Sequence, residues 1–352
     1  MKMCLYNIMT DRLNTPIAKI LKGVLYFFSI LYGGIVRGIV FSYKIRLLRC
    51  CRLNTPVISI GNITLGGAGK TPLVEYVVRF LQEKGLKPAV LIRGYMADEY
   101  NGSDEAKLLE SSLPGAAILV GANRAKCAQD FLARNSADVF VLDDGFQHWR
   151  IRRDLDIVAI NTTNPFGSQQ LIPRGILREP LSSLKRADIF ILTKTEIDSY
   201  IVELTKSKLK IINPHALLVK AIHQPFCLVA LKNPKAVFDL TSLNGKAVCS
   251  FCSIGDPDSF VKTLSFLNAE VKHNFAFLDH HRYQRVDIEK IVDFCRRQQI
   301  ATVITTQKDA VKLQPFWELF ADSLTVLVLK IKIEIIEGKE DFLNKILNVC
   351  RD

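Results

Sequence analysis

The residues best placed to do chemistry begin at Gly61 and run Gly61-Asn62-Ile63-Thr64-Leu65-Gly66-Gly67-Ala68-Gly69-Lys70-Thr71. Glycines leave backbone N–H groups free to close around anionic oxygens. The cradle comprises Thr64, Leu65, Gly66, Gly67, Ala68 and Gly69, and an ammonium and a hydroxyl follow it at once. In a phosphate loop, Lys70 reaches the β- and γ-phosphates of a nucleotide and Thr71 ligates Mg²⁺. The strict pattern asks for glycine five positions before Gly69, where this chain has Thr64. The competing reading is a plain glycine turn with Lys70 in solvent.

Acids form the second chemical group. The apolar run Val139-Phe140-Val141-Leu142 ends in Asp143 and Asp144, and an acid at such a strand end holds Mg²⁺ in phosphate-loop proteins. Adjacent carboxylates repel unless a cation or hydrogen bonds offset them. His148, four residues on, reads as a structural hydrogen-bonding residue. Asp104 and Glu105 precede a short helical pattern, where an N-cap acid is a sufficient explanation. The loop Leu171–Pro180 carries Arg174, Arg178 and Glu179 among prolines and glycine, and arginine suits bidentate phosphate contacts. Asp279-His280-His281 could hold a tuned base. Cys249 and Cys252 form a lone C-x-x-C with no second pair, which reads as buried thiols.

These groups need elements to position them. Val57–Ile60 reads as a buried strand before the glycine loop. After it, Leu73, Val74, Val77, Val78 and Leu81 mark the inner side of a helix that ends near Gly85. Strands are expected at 89–92, 117–120, 139–142, 157–160 and 189–193, with helices at 123–134 and 195–208 between some of them. That alternation indicates a mostly parallel α/β sheet. The pattern breaks around 213–225, and a second alternating set follows at 247–250, 257–267, 286–298 and 302–305. The expected organisation is an amino-terminal membrane-associated helix (1–45), a nucleotide-binding domain (46–224) and a smaller α/β domain (225–352) contributing to an active-site cleft.

The chain has 352 residues, is about half apolar and carries a net charge of +12. Much of that charge sits in residues 1–52, which hold nine Lys and Arg against Asp11 alone. These basic groups flank the uncharged run 23–36 instead of covering a folded face, which fits an anionic membrane surface and argues against nucleic acid. The apolar run is borderline for a span. Lys19, Lys22, Tyr26, Gly33, Arg37 and Lys44 share one side of the helical wheel, so a helix lying in the interface is an equal expectation. The basic cluster from Lys44 to Arg52 predicts that the folded domains are cytoplasmic.

Taken in order, SIGNITLGGAGKTP, LIRGY, SDEAKLL, VGANR, LDDGFQHWRIRRDLDIV, LIPRGILREPLSSLKRAD, FCSIGDPDSF, FLDHHRY and TTQKDAVKL resemble the tetraacyldisaccharide 4'-kinase family of lipid A synthesis. The resemblance covers most of the chain from about residue 40. It implies a phosphate-loop fold with a second α/β domain and a membrane helix. The implied reaction moves the γ-phosphate of ATP, with Mg²⁺, to the 4'-hydroxyl of a tetraacylated glucosamine disaccharide 1-phosphate. It also implies a place at the bacterial inner membrane and no obligate protein partner. Residue by residue, it assigns Lys70 and Thr71 to the nucleotide, and Asp143, Asp144 and Glu179 to positions at or near Mg²⁺. It pairs Asp104 with His280 for catalysis. Arg93, Tyr95, Arg124 and Arg178 fall around the phosphates and lipid head group. The chain departs from the family pattern at Ser103, Ala106, Leu278 and Gln307. A membrane-associated phosphate-loop GTPase or ATPase switch is the alternative, and a kinase for another membrane glycolipid or polyprenol is a second.

Overall fold

The protein is described from a computed structural model, which covers residues 7–11, 13–94, 104–279, 281–320 and 324–351. The helix expected at the amino-terminus is α1 (Pro16–Lys44). Its start is fixed by Thr15, whose side chain accepts from Ala18 N, and by Pro16 in the first turn, where a missing N–H costs little.

Two compact units follow from the chain trace. The first comprises residues 1–222 and 333–352, the second 223–332. In the first unit the strands are β1 (Val57–Gly61), β2 (Pro88–Ile92), β3 (Ala117–Val120), β4 (Val139–Asp143), β5 (Leu155–Asn161), β6 (Ile189–Thr193) and the start of β7 (Leu217–Ala230). All pair in parallel, in the order β7-β6-β5-β1-β4-β2-β3. Every residue of β1, β2, β4 and β6 is buried, as a parallel sheet covered on both faces requires. Ile58, Ile60, Val90, Val141 and Ile157 pack against Leu73, Val74, Val77 and Leu81 of α2 (Lys70–Glu83). On the opposite face Val158, Ile160, Phe190 and Leu192 meet Phe146, Val202 and Leu209. After β4 the chain passes to the other side of β1 to form β5, so the strand order reverses beside β1. Open α/β sheets bind ligands at the carboxyl ends of strands flanking such a reversal, and the glycine loop sits there.

Other helices of this unit are α3 (Asp104–Ser112), α4 (Arg124–Leu132) and α5 (Ser199–Ile212). The helix expected from 195 begins at Ser199 because the Asp198 side chain caps it, accepting from Ile201 N at 3.1 Å, after Lys194 turns through φ 60°. The expected break at 213–225 is also corrected. β7 runs through Pro225, which falls between the residues paired with β6 and those paired with β8 (Val237–Phe238).

The second unit has β9 (Ala247–Cys252) between β10 (Glu270–Ala276) and β11 (Thr302–Thr306), with β11 also paired to β12 (Thr325–Glu337), all parallel. One face packs on α7 (Arg285–Arg297) through Ile288, Ile291 and Cys295, and the other on α6 (Pro257–Phe266) through Phe260 and Leu264. A four-residue helix, α8 (Gln307–Ala310), follows β11. Cys249 belongs to the first core and Cys252 to the second, both buried.

The expected domain 225–352 does not hold together as one piece. Its last residues return to the first unit, where Phe342 and Ile346 of α9 (Lys339–Arg351) are fully buried in the core with Ile333 and Ile335. A Phe342→Ala substitution is expected to cost about 3–5 kcal/mol. Chemical denaturation followed by a probe in the first unit checks this, and a loss below about 1 kcal/mol would contradict the packing.

Candidate functional site

The glycine loop joins β1 to α2. Gly69 is the N-cap of α2 at φ 77° and Gly66 turns through φ 107°, both left-handed conformations that favour glycine. The loop is tied down from behind. Asn161 Nδ2 donates to Gly67 O at 3.2 Å and Thr193 Oγ1 to Ala68 O at 3.1 Å. Leu65 N donates to Ile176 O at 2.7 Å, and Thr64 is bridged to Leu177. Thr64, where the strict pattern has glycine, is 6% exposed and forms the edge of that bridge. Its φ is not in the left-handed region, so a residue with a side chain is accepted there.

Lys70 Nζ donates to Asn62 Oδ1 at 3.0 Å and lies 3.4 Å from Asp144 Oδ1. Asn62 is fully buried, its amide donating to Thr64 O at 2.8 Å. Gly61 is needed for a different reason from the loop glycines. A Cβ there would stand 2.6 Å from both N and Cβ of Phe146, so only glycine lets the end of β1 touch the turn after β4.

That turn carries the acids. Asp143 is 4% exposed and its Oδ1 finds no hydrogen-bond partner among the described residues. Burial, with Glu105 and Asp144 nearby, pushes its carboxyl up to about 7 against the pull of Lys70 and Arg124. Asp144 adopts φ 49° and behaves oppositely. Burial alone would raise it, but Lys70 and Arg178 overcome that and hold its carboxyl well below the usual range. Arg178 Nη1 donates to both Asp144 oxygens at 2.8 Å. Arg124, 3% exposed, donates to the Asp144 carbonyl at 3.3 Å, and burial lowers its own pKa against the two acids. The strand end therefore holds one acid kept ionised by cations and one, raised toward neutrality, with a buried oxygen left unpartnered among the described residues.

Other expected residues fall differently. Glu179 does not join the two aspartates. Both its oxygens accept from Arg186 at 2.8 Å, and it is 2% exposed. Arg186 lies over the Phe146 ring at 3.6 Å and donates to Phe146 O, so this pair buttresses the acid turn from below. Among the described residues, no group of three or more His, Cys, Asp or Glu side chains is placed to hold a metal ion. Thr71 is half-buried in the first turn of α2, and Asp104 begins α3. Arg93 is exposed just after β2. Tyr95 and His280 lie outside the described residues. His281 is taken by Asp287, 2.9 Å away, and stacks on Phe277.

Three residues went unnoticed in the sequence: Asn62, Gln147 and Arg186. Gln147 donates to Asn62 O at 3.0 Å and accepts from Arg178 at 3.4 Å. The one available signal was polar residues standing directly beside glycine and acidic motifs.

A sequence model of the family described as tetraacyldisaccharide-1-P 4'-kinase matches residues 21–351. The chain belongs to this family. The tetraacyldisaccharide 4'-kinase of Syntrophus aciditrophicus is 35% identical over 334 residues, 88% of each chain. That of Halothermothrix orenii is 38% identical over 297 residues, 77% of each. The solved LpxK of Aquifex aeolicus, crystallised with ATP, is 28% identical with a TM-score of 0.70, covering 94% of this chain and 99% of that one. Membership in this kinase family decides against the nucleotide-switch alternative.

The turn makes one prediction about stability. Burial, and then Arg124, Arg153, Arg150 and Arg93, lower the His148 pKa from 6.5 to about 4. The unfolded chain therefore binds the extra proton between those values, and stability is lost as pH falls from about 6.5 toward 4. A His148→Asn variant is expected to lose less over that window. Parallel curves of denaturation midpoint against pH for the two proteins would contradict it.

Proposed function

We propose that this protein transfers the γ-phosphate of ATP to the 4'-hydroxyl of a tetraacylated glucosamine disaccharide 1-phosphate, giving the bis-phosphorylated lipid A precursor. The observation that carries the reading is the loop after β1, with Lys70 and a clamped Asp144 at the strand reversal, in a chain of this kinase family. Loop amides and the α2 amino-terminus face negative phosphate oxygens favourably. Lys70 offsets charge on the transferring group, and Asp144 with Asn62 fixes where its ammonium stands.

Asp143, with its uncompensated buried oxygen, and Thr71 are the residues that fit Mg²⁺, with Asp144 beside them. Mg²⁺ bound there supplies charge neutralisation of the phosphates. In the transfer, the sugar oxygen forms a bond to γ-phosphorus, the β–γ bridging P–O bond breaks, and ADP leaves. Asp104 accepts the hydroxyl proton. His280 takes the partner role through family resemblance, since His281 is committed to Asp287. Arg93 and Tyr95 are assigned to the head group, and Arg124 and Arg178 to the phosphate side.

The substrate carries four acyl chains, so the enzyme meets it at a bilayer. The inner membrane, with the folded units on its cytoplasmic side, is the place the family resemblance and the basic cluster 44–52 suggest. Helix α1 is long and apolar enough to cross a membrane by length and composition, yet its packing against the first unit supports a helix lying in a membrane interface. Its polar side, at Ser29 and Gly33, is buried against the first unit, while Ile17, Ile20, Phe27, Ile30 and Ile35 are more than half exposed. A water-facing helix has the reverse polarity. A helix bonded along one flank to a polar loop cannot be ringed by lipid.

The test is incubation of purified enzyme with labelled ATP, Mg²⁺ and the lipid disaccharide. Label is expected in the lipid, and mass spectrometry is expected to find one added phosphate. Lys70→Ala is expected to abolish transfer. Asp104→Ala is expected to lower kcat about 10²–10⁴-fold with little change in KM for ATP. An active Lys70→Ala enzyme would sink the phosphate-site reading.

A further inference from the structure

The amino-terminal helix reaches the phosphate site through one loop. Ser29 Oγ donates to Leu171 O at 2.7 Å and accepts from Arg174 N at 2.9 Å. Tyr32 Oη donates to Arg178 O at 2.8 Å. Gly33 lies so close that a Cβ there would stand 2.8 Å from Leu171 Cδ1. At its base, Asp11 accepts from Lys22 at 2.7 Å and Arg174 at 2.8 Å. The 171–178 loop is in turn bonded to the glycine loop, with Leu65 N donating to Ile176 O and Arg178 N to Ile63 O at 2.8 Å. Arg178 then grips Asp144, which holds Lys70. Helix, loop, arginine, carboxylate and ammonium form one unbroken series of short contacts within the first unit.

We propose that α1 is a working part of the phosphate site as well as a lipid contact, with Ser29, Tyr32 and Gly33 as positioning residues for Arg178 and the lip of the glycine loop. The inference deepens the proposed kinase reading and rests on it. The two duties of the helix lie on different faces. The bonded face carries small and hydroxyl residues that let the loop approach closely. The exposed face carries the large apolar side chains, with Arg46 just past the helix end. A lipid anchor alone would have no use for hydrogen bonds to Leu171 and Arg178 carbonyls. Loss of these bonds leaves polar groups of the loop without partners and frees Arg178 to shift.

Substitutions that separate the faces test the idea. A Ser29→Val/Tyr32→Phe double variant removes the docking bonds, and a Phe27→Ser/Phe28→Ser variant weakens the lipid face. Both are assayed on substrate in mixed detergent micelles, and vesicle binding is followed by sedimentation with anionic phospholipid. The docking variant loses three hydrogen bonds and is expected to lose about tenfold in kcat, part of their summed net contribution, and to raise KM for ATP while sedimenting with vesicles like wild type. The lipid-face variant is expected to sediment less and to keep wild-type kcat and KM for ATP in micelles. If the double variant does not fold, Tyr32→Phe alone, which removes one hydroxyl, is read the same way. Wild-type kinetics in the docking variant, or activity losses that track vesicle binding, would overturn the proposal. A wild-type enzyme that phosphorylates no lipid would fail the functional reading instead. The docking variant's affinity for an ATP analogue, expected to be weaker, would still report on the positioning.

Discussion

Two carboxylates at the end of a fully buried strand set the electrostatic problem that the surrounding structure solves. Side by side, with Asp143 buried and Asp144 partly exposed, they repel, and each must find positive charge or give up its own. Asp144 finds Lys70 and Arg178. Asp143 is left facing Glu105 and Asp144 with one oxygen unpartnered. The imbalance leaves Asp143 open to a proton or a cation at the end of the strand. It also fixes Lys70 without consuming it, since the carboxylate that holds the ammonium is shared with an arginine.

Much of the nearby architecture follows from keeping that turn in place. Gly61 has no side chain because the Phe146 backbone passes where a Cβ would be. Phe146 is anchored below by Arg186, which is itself neutralised by Glu179. Breaking such a buried pair on one side leaves an uncompensated charge, which costs far more than the pair contributes. Glu179 and Arg186 thus support the acid turn through packing on Phe146.

The amino-terminal helix inverts the usual polarity of a surface helix. Its small and polar side meets protein and its large apolar side is left outward. In water this would be an exposed apolar patch of the kind that marks an interaction surface. On the proposed reading that face would meet the phase that holds an acylated substrate, while the opposite side reaches the glycine loop through Leu171–Arg178.

The alternation of buried strands and amphipathic helices, the glycine loop and the acidic strand end were all legible in the sequence, because each is local. Backbone periodicity and a short run of residue types specify them within a few positions. Even the polar stripe of the first helix was readable from its wheel, though which side would face protein was not. Pairing partners were decided only by the tertiary structure. That both oxygens of Glu179 accept from Arg186, seven residues on, could not be read from the motif. The final helix read as part of the carboxy-terminal domain until Phe342 and Ile346 entered the first core. Asn62 and Gln147 carried no motif at all. Charge and hydrogen-bond partners separated in sequence are set by chain packing, and a pattern that specifies where a side chain begins does not specify what it meets.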